Sequence, residues 1–161
     1  MKKLRIYLDA CVIGNLDEQN HPQDMADAHA LWAMIKASEF YVIISEVTLD
    51  ELNDNKNLEK VKILSNYLNQ ITYETLPLNS EIEYIADLIK QTGLIPSDKK
   101  LNDRRHIAGA LVSRSDILVS TNYKDLVNIT TVMGVKKIAI VEGYGTIDIY
   151  PPLMLINRGE R

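Results

Sequence analysis

The sequence contains a single cysteine, Cys11, among its 161 residues. An internal disulfide is therefore excluded, and a reducing, cytoplasmic compartment is expected. We expect Cys11 to be a small residue packed in the interior. Long apolar runs are also missing, because charged residues interrupt the apolar stretches. The sequence thus predicts neither a membrane span nor a signal peptide.

Basic residues are not in excess, since 18 lysines and arginines stand against 22 acidic residues and give a net charge of −4. Proteins that bind nucleic acid by neutralising many phosphates usually carry a basic patch, so the acidic balance disfavours that mode of binding. The three histidines have no metal-ligand spacing, which disfavours zinc, and glycine-rich phosphate loops, nucleophile elbows and Cys–His motifs are absent. Two interpretations stay open: a domain that binds small molecules or proteins, and an acid cluster that holds divalent cations.

What the sequence does contain is a regular alternation of strand and helix patterns, which predicts one α/β domain over residues 1–161 with a mostly parallel sheet. The predicted strands are residues 4–8, 40–44, 72–76, 117–120 and 136–141, with 147–150 extending or flanking the fifth. The third strand is the least apolar and suits a sheet edge. Residues 153–156 are expected to pack back on the core.

Helix patterns fill the segments between these strands. A short helix follows Asp9, and Ser45 can cap another. The remaining predicted helices are 22–38, 58–71, one that opens at Asn79 or Ser80 and stops near Gly93, and 101–115.

Polar side chains are predicted to meet at one edge of this sheet. Asp9 ends the first strand, Glu51 lies on the helix after the second, Asp103 is in the first turn of the helix before the fourth, and Asn122 follows the fourth strand. The carboxyl ends of parallel strands lie along one edge, where ligands and metals tend to bind. Three carboxylates and one amide can therefore converge there.

Clustered carboxylates repel one another, and Mg²⁺ or Mn²⁺ would remove that cost. A metal with open water positions suits phosphodiester hydrolysis. Each acid also has a plain structural explanation: Asp9 as a helix cap, Glu51 as a solvated residue, and Asp103 as a favourable charge on the helix dipole. Asp116 and Asp125 are interpreted as structural or solvated, Arg104 and Arg105 as a solvated face, and His106 as a packed or hydrogen-bonded histidine rather than a ligand.

Four blocks of the sequence resemble the PIN-domain family, a nuclease fold found in many toxins of toxin–antitoxin pairs. The blocks are YLDACVIGNL from Tyr7, ISEVTLDELN from Ile44, LNDRRHIAGAL from Leu101 and DILVSTNYKDL from Asp116, and they follow the family's order. The resemblance implies a three-layer α/β/α sandwich with a five-stranded parallel sheet, and Mg²⁺- or Mn²⁺-dependent cleavage of RNA. It also implies a cognate antitoxin and a homodimer.

The same resemblance implies catalytic roles for Asp9, Glu51, Asp103 and Asn122, with the three carboxylates as metal ligands and His106 in the family's D-x-x-H-I-A block. The fourth family position is often aspartate. Asn122 can still ligate a metal or orient a water, but it adds no charge and so weakens the case for a firmly held second metal.

Two rival functions stay open. One is a PIN-like module that binds RNA or a protein without cutting, which the acidic balance and Asn122 favour. The other is a receiver-type phosphoacceptor domain, which would need paired acids after the first strand and an aspartate after the third; the sequence has Asp9 alone and Pro77 at these places. The predicted function is a metal-dependent endoribonuclease.

Overall fold

The computed structural model describes residues 2–157. Five strands form one sheet in which every neighbouring pair is parallel. They are β1 (Leu4–Leu8), β2 (Phe40–Ser45), β3 (Glu74–Leu76), β4 (Ile117–Val119) and β5 (Asp148–Tyr150). Their spatial order is β3-β2-β1-β4-β5, so β1 is central and β3 lies at an edge, as predicted.

Eight α-helices lie within the described residues. They are α1 (Ala10–Gly14), α2 (Pro22–Lys36), α3 (Glu46–Asn53), α4 (Leu58–Leu68), α5 (Ser80–Gln91), α6 (Leu101–Val112), α7 (Ile129–Glu142) and α8 (Pro152–Ile156). Short 3₁₀ turns cover Asn15–Asp17 and Asp98–Lys100. Across residues 2–157, the helices include none with the length and apolar character needed to cross a membrane.

The side chains of β1 alternate between two helical layers. Ile6 and Leu8 pack against one apolar cluster with residues of α1, α2, α4 and α8. Tyr7 points the other way, into a second cluster built from α5, α6 and α7. A parallel sheet covered on both faces explains why its strands read as nearly continuous apolar runs. The three-layer α/β/α architecture is therefore confirmed.

Short polar side chains start several helices at the predicted places. The Ser45 hydroxyl accepts a hydrogen bond from the Thr48 backbone N–H, and Asn79 accepts one from Ile82. Pro22 occupies the first position of α2, where its missing N–H costs nothing. These caps fix where each helix leaves the sheet edge.

The predicted fifth strand, residues 136–141, is wrong. These residues are the second half of α7, which Asn128 caps and Gly143, with φ of 80°, ends. Val135, Ile138 and Ala139 are buried at helical spacing, whereas Ile140 and Val141 are exposed. A short apolar run does not distinguish a strand from a buried helix. The fifth strand is Asp148–Tyr150, inside the segment predicted only to extend or flank it.

Three helices end earlier than predicted. The helix predicted over 22–38 ends at Lys36, the one predicted over 58–71 ends at Leu68, and the one predicted over 101–115 ends at Val112. Arg114 leaves α6 with a φ of 55°, a left-handed conformation that terminates helices. The segment predicted to pack back on the core does so through Leu155, which is buried.

The order of the strands creates a switch point between β1 and β4. The chain moves from β1 outward to β2 and β3, then crosses back and continues outward on the other side through β4 and β5. In open α/β sheets, ligands bind outside the carboxyl ends of the strands at such a point. The residues that follow β1 and β4 are therefore the first place to look for a site.

Candidate functional site

Asp9 lies at this switch point, directly after β1. Its side chain is 1 % exposed, and its Oδ1 accepts a hydrogen bond 3.0 Å long from the backbone N–H of Val12. Burial raises the pKa of Asp9, although His106, a hydrogen bond from Ser120 and the Val12 N–H oppose that rise. Asp9 is thus a helix cap, as the structural explanation had it, and also a buried acid beside other charges.

Glu51 projects from α3 toward α6, where it meets His106. Oε1 of Glu51 accepts a hydrogen bond from Nε2 of His106 at 2.5 Å, and the Glu51 side chain is 34 % exposed. Glu51 is therefore held by a specific partner and is not a freely solvated residue. His106 is hydrogen-bonded, as predicted, through both ring nitrogens.

His106 is buried, and burial alone would lower the pKa of its imidazole. Tyr7, the hydrogen bond to Glu51 and the charge of Asp9 act in the opposite direction and raise the pKa of His106 to about 10. An imidazolium in this position compensates part of the negative charge of the carboxylates around it.

Asp103 stands in the first turn of α6, three residues before His106. Burial raises the pKa of Asp103, and the charges of Asp125 and Glu51 add to that rise, while His106 and Lys100 oppose it. The charge of Glu51 also raises the pKa of Asp9. His106 thus lowers the pKa of both aspartates and hydrogen-bonds Glu51, so it interacts with all three carboxylates.

Asn122 follows β4 at the same edge, but its side-chain oxygen serves the backbone. Oδ1 accepts a hydrogen bond from the Asp125 N–H at 3.1 Å and so shapes the turn after β4. Asp125 brings a further carboxylate to this edge. It forms an ion pair of 2.9 Å with Lys100, and its side chain is only 16 % exposed, so its interpretation as a solvated residue is wrong.

The donor set can be compared with what a magnesium ion requires. Within residues 2–157, no three side chains of histidine, cysteine, aspartate or glutamate are arranged to hold one metal ion together. A closed cage of three protein ligands therefore does not fit. Magnesium usually keeps several waters and binds through one or two carboxylates, and the raised pKa values of Asp9 and Asp103 mark carboxyl groups whose charge a cation would stabilise.

Two further interpretations from the sequence are wrong. Cys11 is exposed on α1 and does not pack in the interior. Although the residue reaches the surface, its thiol group is partly covered by its neighbours. This partial desolvation and the charges of Asp9, Asp103 and Glu51 raise the pKa of Cys11 to about 12. Arg104 is buried and not solvated; its Nη1 donates to the carbonyls of Ile95 and Ser97 and so ties down the loop before α6.

Sequence reasoning missed Tyr7 and Ser120. Tyr7 is fully buried in β1, and its hydroxyl lies 2.8 Å from Nδ1 of His106. Ser120 is fully buried after β4; it hydrogen-bonds the Asp9 side chain and accepts from the Asn122 N–H at 2.9 Å. The signal was present, since each hydroxyl lies in or directly after a strand whose other side chains are mostly apolar.

The fold has a counterpart among solved structures. The chain is similar to a chain of the crystal structure of VapBC2 from Rickettsia felis bound to a DNA fragment from their promoter, with a TM-score of 0.51 and 18 % sequence identity. The similarity covers 75 % of this chain and 90 % of that one. At this identity the likeness shows the fold alone. No family model matches the sequence, and no curated protein is significantly similar to it.

Proposed function

We propose that this protein is a metal-dependent endoribonuclease of the PIN type. The observation that supports this most is Asp9, a buried carboxylate with a raised pKa at the switch point of a parallel sheet. The charge of Glu51 raises the pKa of Asp9 further, and it also raises the pKa of Asp103. Acids that cost free energy to bury at a ligand-binding edge are typical of functional sites.

In this proposal Asp9 and Asp103 would hold Mg²⁺ or Mn²⁺, and Glu51 would contact it through water. The bound ion would supply charge stabilisation at phosphate and acidify a water. Asn122 would be a secondary contact through its amide, and Asp125, paired with Lys100, would add negative charge at the rim.

The protein's own groups would orient and deprotonate the attacking water. The Glu51 carboxylate is held by His106, which leaves its second oxygen to accept a proton from water. The water oxygen would bond to phosphorus while the bond from phosphorus to the 3′ oxygen breaks, and the released 3′ oxygen would take up a proton from solvent. The expected products are therefore a 5′ phosphate and a 3′ hydroxyl.

The partners follow from the sequence resemblance together with the fold neighbour. That neighbour is VapBC2 with promoter DNA. We propose RNA as the substrate, a cognate antitoxin protein as a partner, a homodimer as the assembly and the cytoplasm as the compartment.

The direct test is Mg²⁺- or Mn²⁺-dependent cleavage of an RNA pool by the wild type and by Asp9→Asn. Asparagine keeps the oxygen that caps α1, so the fold should survive while cleavage falls at least about a hundredfold. Asp116→Asn is the matched control, because Asp116 sits before β4 at the opposite edge, where it accepts from the Arg5 N–H at 2.8 Å. Full activity of Asp9→Asn would contradict the proposal.

A second candidate, a PIN-like module that binds RNA or protein without cutting, is favoured by one observation: Glu51 is engaged by His106 and joins no ready three-ligand metal site within residues 2–157. Thermal shift with Mn²⁺ separates the two candidates. Stabilisation by Mn²⁺ favours the nuclease, whereas no stabilisation and no cleavage of any RNA favour the binding module.

A further inference from the structure

A chain of buried hydrogen bonds runs from the central strand to the acidic edge. The Tyr7 hydroxyl lies 2.7 Å from the Ser45 hydroxyl and 2.8 Å from Nδ1 of His106. Nε2 of His106 continues to Glu51. The chain therefore connects β1, the start of α3 and the middle of α6 before it ends on a carboxylate of the candidate site.

Packing fixes the tyrosine ring at the start of this chain. Tyr7 is fully buried, and α6 approaches it at Gly109. A Cβ at position 109 would lie 3.0 Å from Cε2 of Tyr7 and 3.3 Å from its hydroxyl oxygen. A phenylalanine would fill the same space, so packing alone does not require the hydroxyl. Buried tyrosine hydroxyls are usually placed where they have a partner, and this one has two.

The link to Glu51 persists in both protonation states of the imidazole. A carboxylate accepts, so Nε2 carries the hydrogen that His106 donates to Glu51. In the neutral ring Tyr7 donates to Nδ1. In the charged ring Nδ1 donates to Tyr7, Tyr7 donates to Ser45, and Ser45 can donate to the Thr48 hydroxyl 3.4 Å away. Every donor has an acceptor in either direction.

We propose that Tyr7 and His106 are positioning residues that hold the Glu51 carboxylate in place at the acidic site. This inference rests on the proposed function, in which Glu51 orients the attacking water. Neither residue needs to touch the metal or the RNA. Second-layer partners of this kind change metal affinity or activity about ten- to a hundredfold when they are replaced.

The molecule supplies matched controls for this idea. His29 and Tyr67 form an edge-on ring pair with centroids 5.3 Å apart, against 5.7 Å for Tyr7 and His106. Both His29 and Tyr67 lie in the opposite helical layer. The same substitutions can therefore be made in both pairs, and only one pair contacts a carboxylate of the site.

The experiment compares Tyr7→Phe, His106→Leu and His106→Gln with Tyr67→Phe and His29→Gln in the full-length protein. Tyr7→Phe is the variant that keeps packing. In metal-free protein, nitrogen-edited proton NMR of histidine should detect a solvent-protected Nε2 hydrogen of His106 that Glu51→Gln shifts. Mn²⁺ affinity and steady-state RNA cleavage complete the measurement.

We expect kcat to fall about tenfold in Tyr7→Phe and about a hundredfold in His106→Leu, with KM for RNA within about twofold. Mn²⁺ affinity should fall with kcat. Glutamine at position 106 can still donate to Glu51 and should recover part of the loss. The two control variants, Tyr67→Phe and His29→Gln, should have the kcat and the Mn²⁺ affinity of the wild type.

The outcomes separate the two proposals. An active wild type whose Tyr7→Phe and His106→Leu variants retain wild-type kcat and Mn²⁺ affinity overturns the positioning roles and leaves the nuclease proposal intact. A folded wild type that neither binds Mn²⁺ nor cleaves RNA overturns the nuclease proposal, and the positioning roles with it.

Discussion

Two histidine–tyrosine pairs, one in each helical layer, have similar ring geometry and different surroundings. The rings of His29 and Tyr67 cross at 73°, and those of Tyr7 and His106 at 68°. Nε2 of His29 donates to the main-chain carbonyl of Leu16 at 2.9 Å. His106 instead donates to a carboxylate. The ring contact by itself therefore says little about function. The two pairs differ in the group that accepts the hydrogen bond from Nε2 of the histidine.

The largest expected difference between the pairs is in stability. His106→Gln should lower the free energy of unfolding by about 3 kcal/mol near neutral pH, because it replaces a charged buried hydrogen bond with a neutral one and leaves Tyr7 poorly paired. His29→Gln breaks one bond to a carbonyl and should cost about 1 kcal/mol. Urea unfolding of both variants beside the wild type measures the difference.

The cost of His106→Gln should also depend on pH. The fold raises the pKa of His106 from 6.5 to about 10, so its contribution is fully present below pH 6.5 and declines as pH rises through about 10. The difference in the free energy of unfolding between the wild type and His106→Gln should therefore become smaller as the pH rises from 6.5 to about 10. A gap that stays constant or widens with pH would contradict a charged His106.

A smaller effect on stability is expected from a substitution in α6, the helix that packs on Tyr7. Gly109→Ala should destabilise by about 1–3 kcal/mol, because the added Cβ meets a ring that is buried and hydrogen-bonded. Gly14→Ala is the matched control: Gly14 has a helical φ of −58° and no atom within 4 Å of an added Cβ. It should be neutral or stabilise by about 0.5 kcal/mol. Equal melting temperatures for the two variants would show that the Tyr7 ring moves to accommodate the added Cβ at little cost, and would contradict a fixed ring.

The smallest effect concerns the thiol beside the acids. The pKa of Cys11 is raised to about 12 by burial and by Asp9, Asp103 and Glu51. Mg²⁺ bound to these acids would offset their charge and lower the pKa of the thiol. Since the thiolate is the nucleophile, a fall of one pKa unit raises the thiolate fraction about tenfold at pH 8 and so speeds alkylation, although by less than tenfold because a less basic thiolate is less nucleophilic.

Iodoacetamide labelling followed by intact mass spectrometry measures this rate at the chain's single cysteine. Asp116→Asn should respond to Mg²⁺ as the wild type does, and Asp9→Asn should respond less. A rate that Mg²⁺ leaves unchanged in the wild type would contradict cation binding near Cys11.

Much of the fold could be predicted because its signals are local. The apolar run before Asp9, the Ser45 cap and the Asn79 cap each act within a few residues. The error at residues 136–141 has a local cause too: the apolar run was interpreted without the Asn128 cap that precedes it and the Gly143 stop that follows it.

The arrangement of the candidate site is less local. The sequence identified the acids, but the two partners of the Tyr7 hydroxyl lie 38 and 99 positions away from it in the chain. Glu51 and His106, which hydrogen-bond each other, are 55 positions apart. Such contacts exist only after the sheet has formed and α6 has packed on it. Periodicity can mark Tyr7 as a polar residue in an apolar strand, but it does not name what the hydroxyl meets.

The proposed nuclease requires that the carboxylates at the switch point bind a divalent cation. Isothermal titration of Mn²⁺ into the wild type, Asp9→Asn and Asp116→Asn tests it without any RNA. We expect binding to the wild type and to Asp116→Asn, and an affinity at least about tenfold weaker in Asp9→Asn. Equal affinity in Asp9→Asn, or no binding to the wild type, would contradict it.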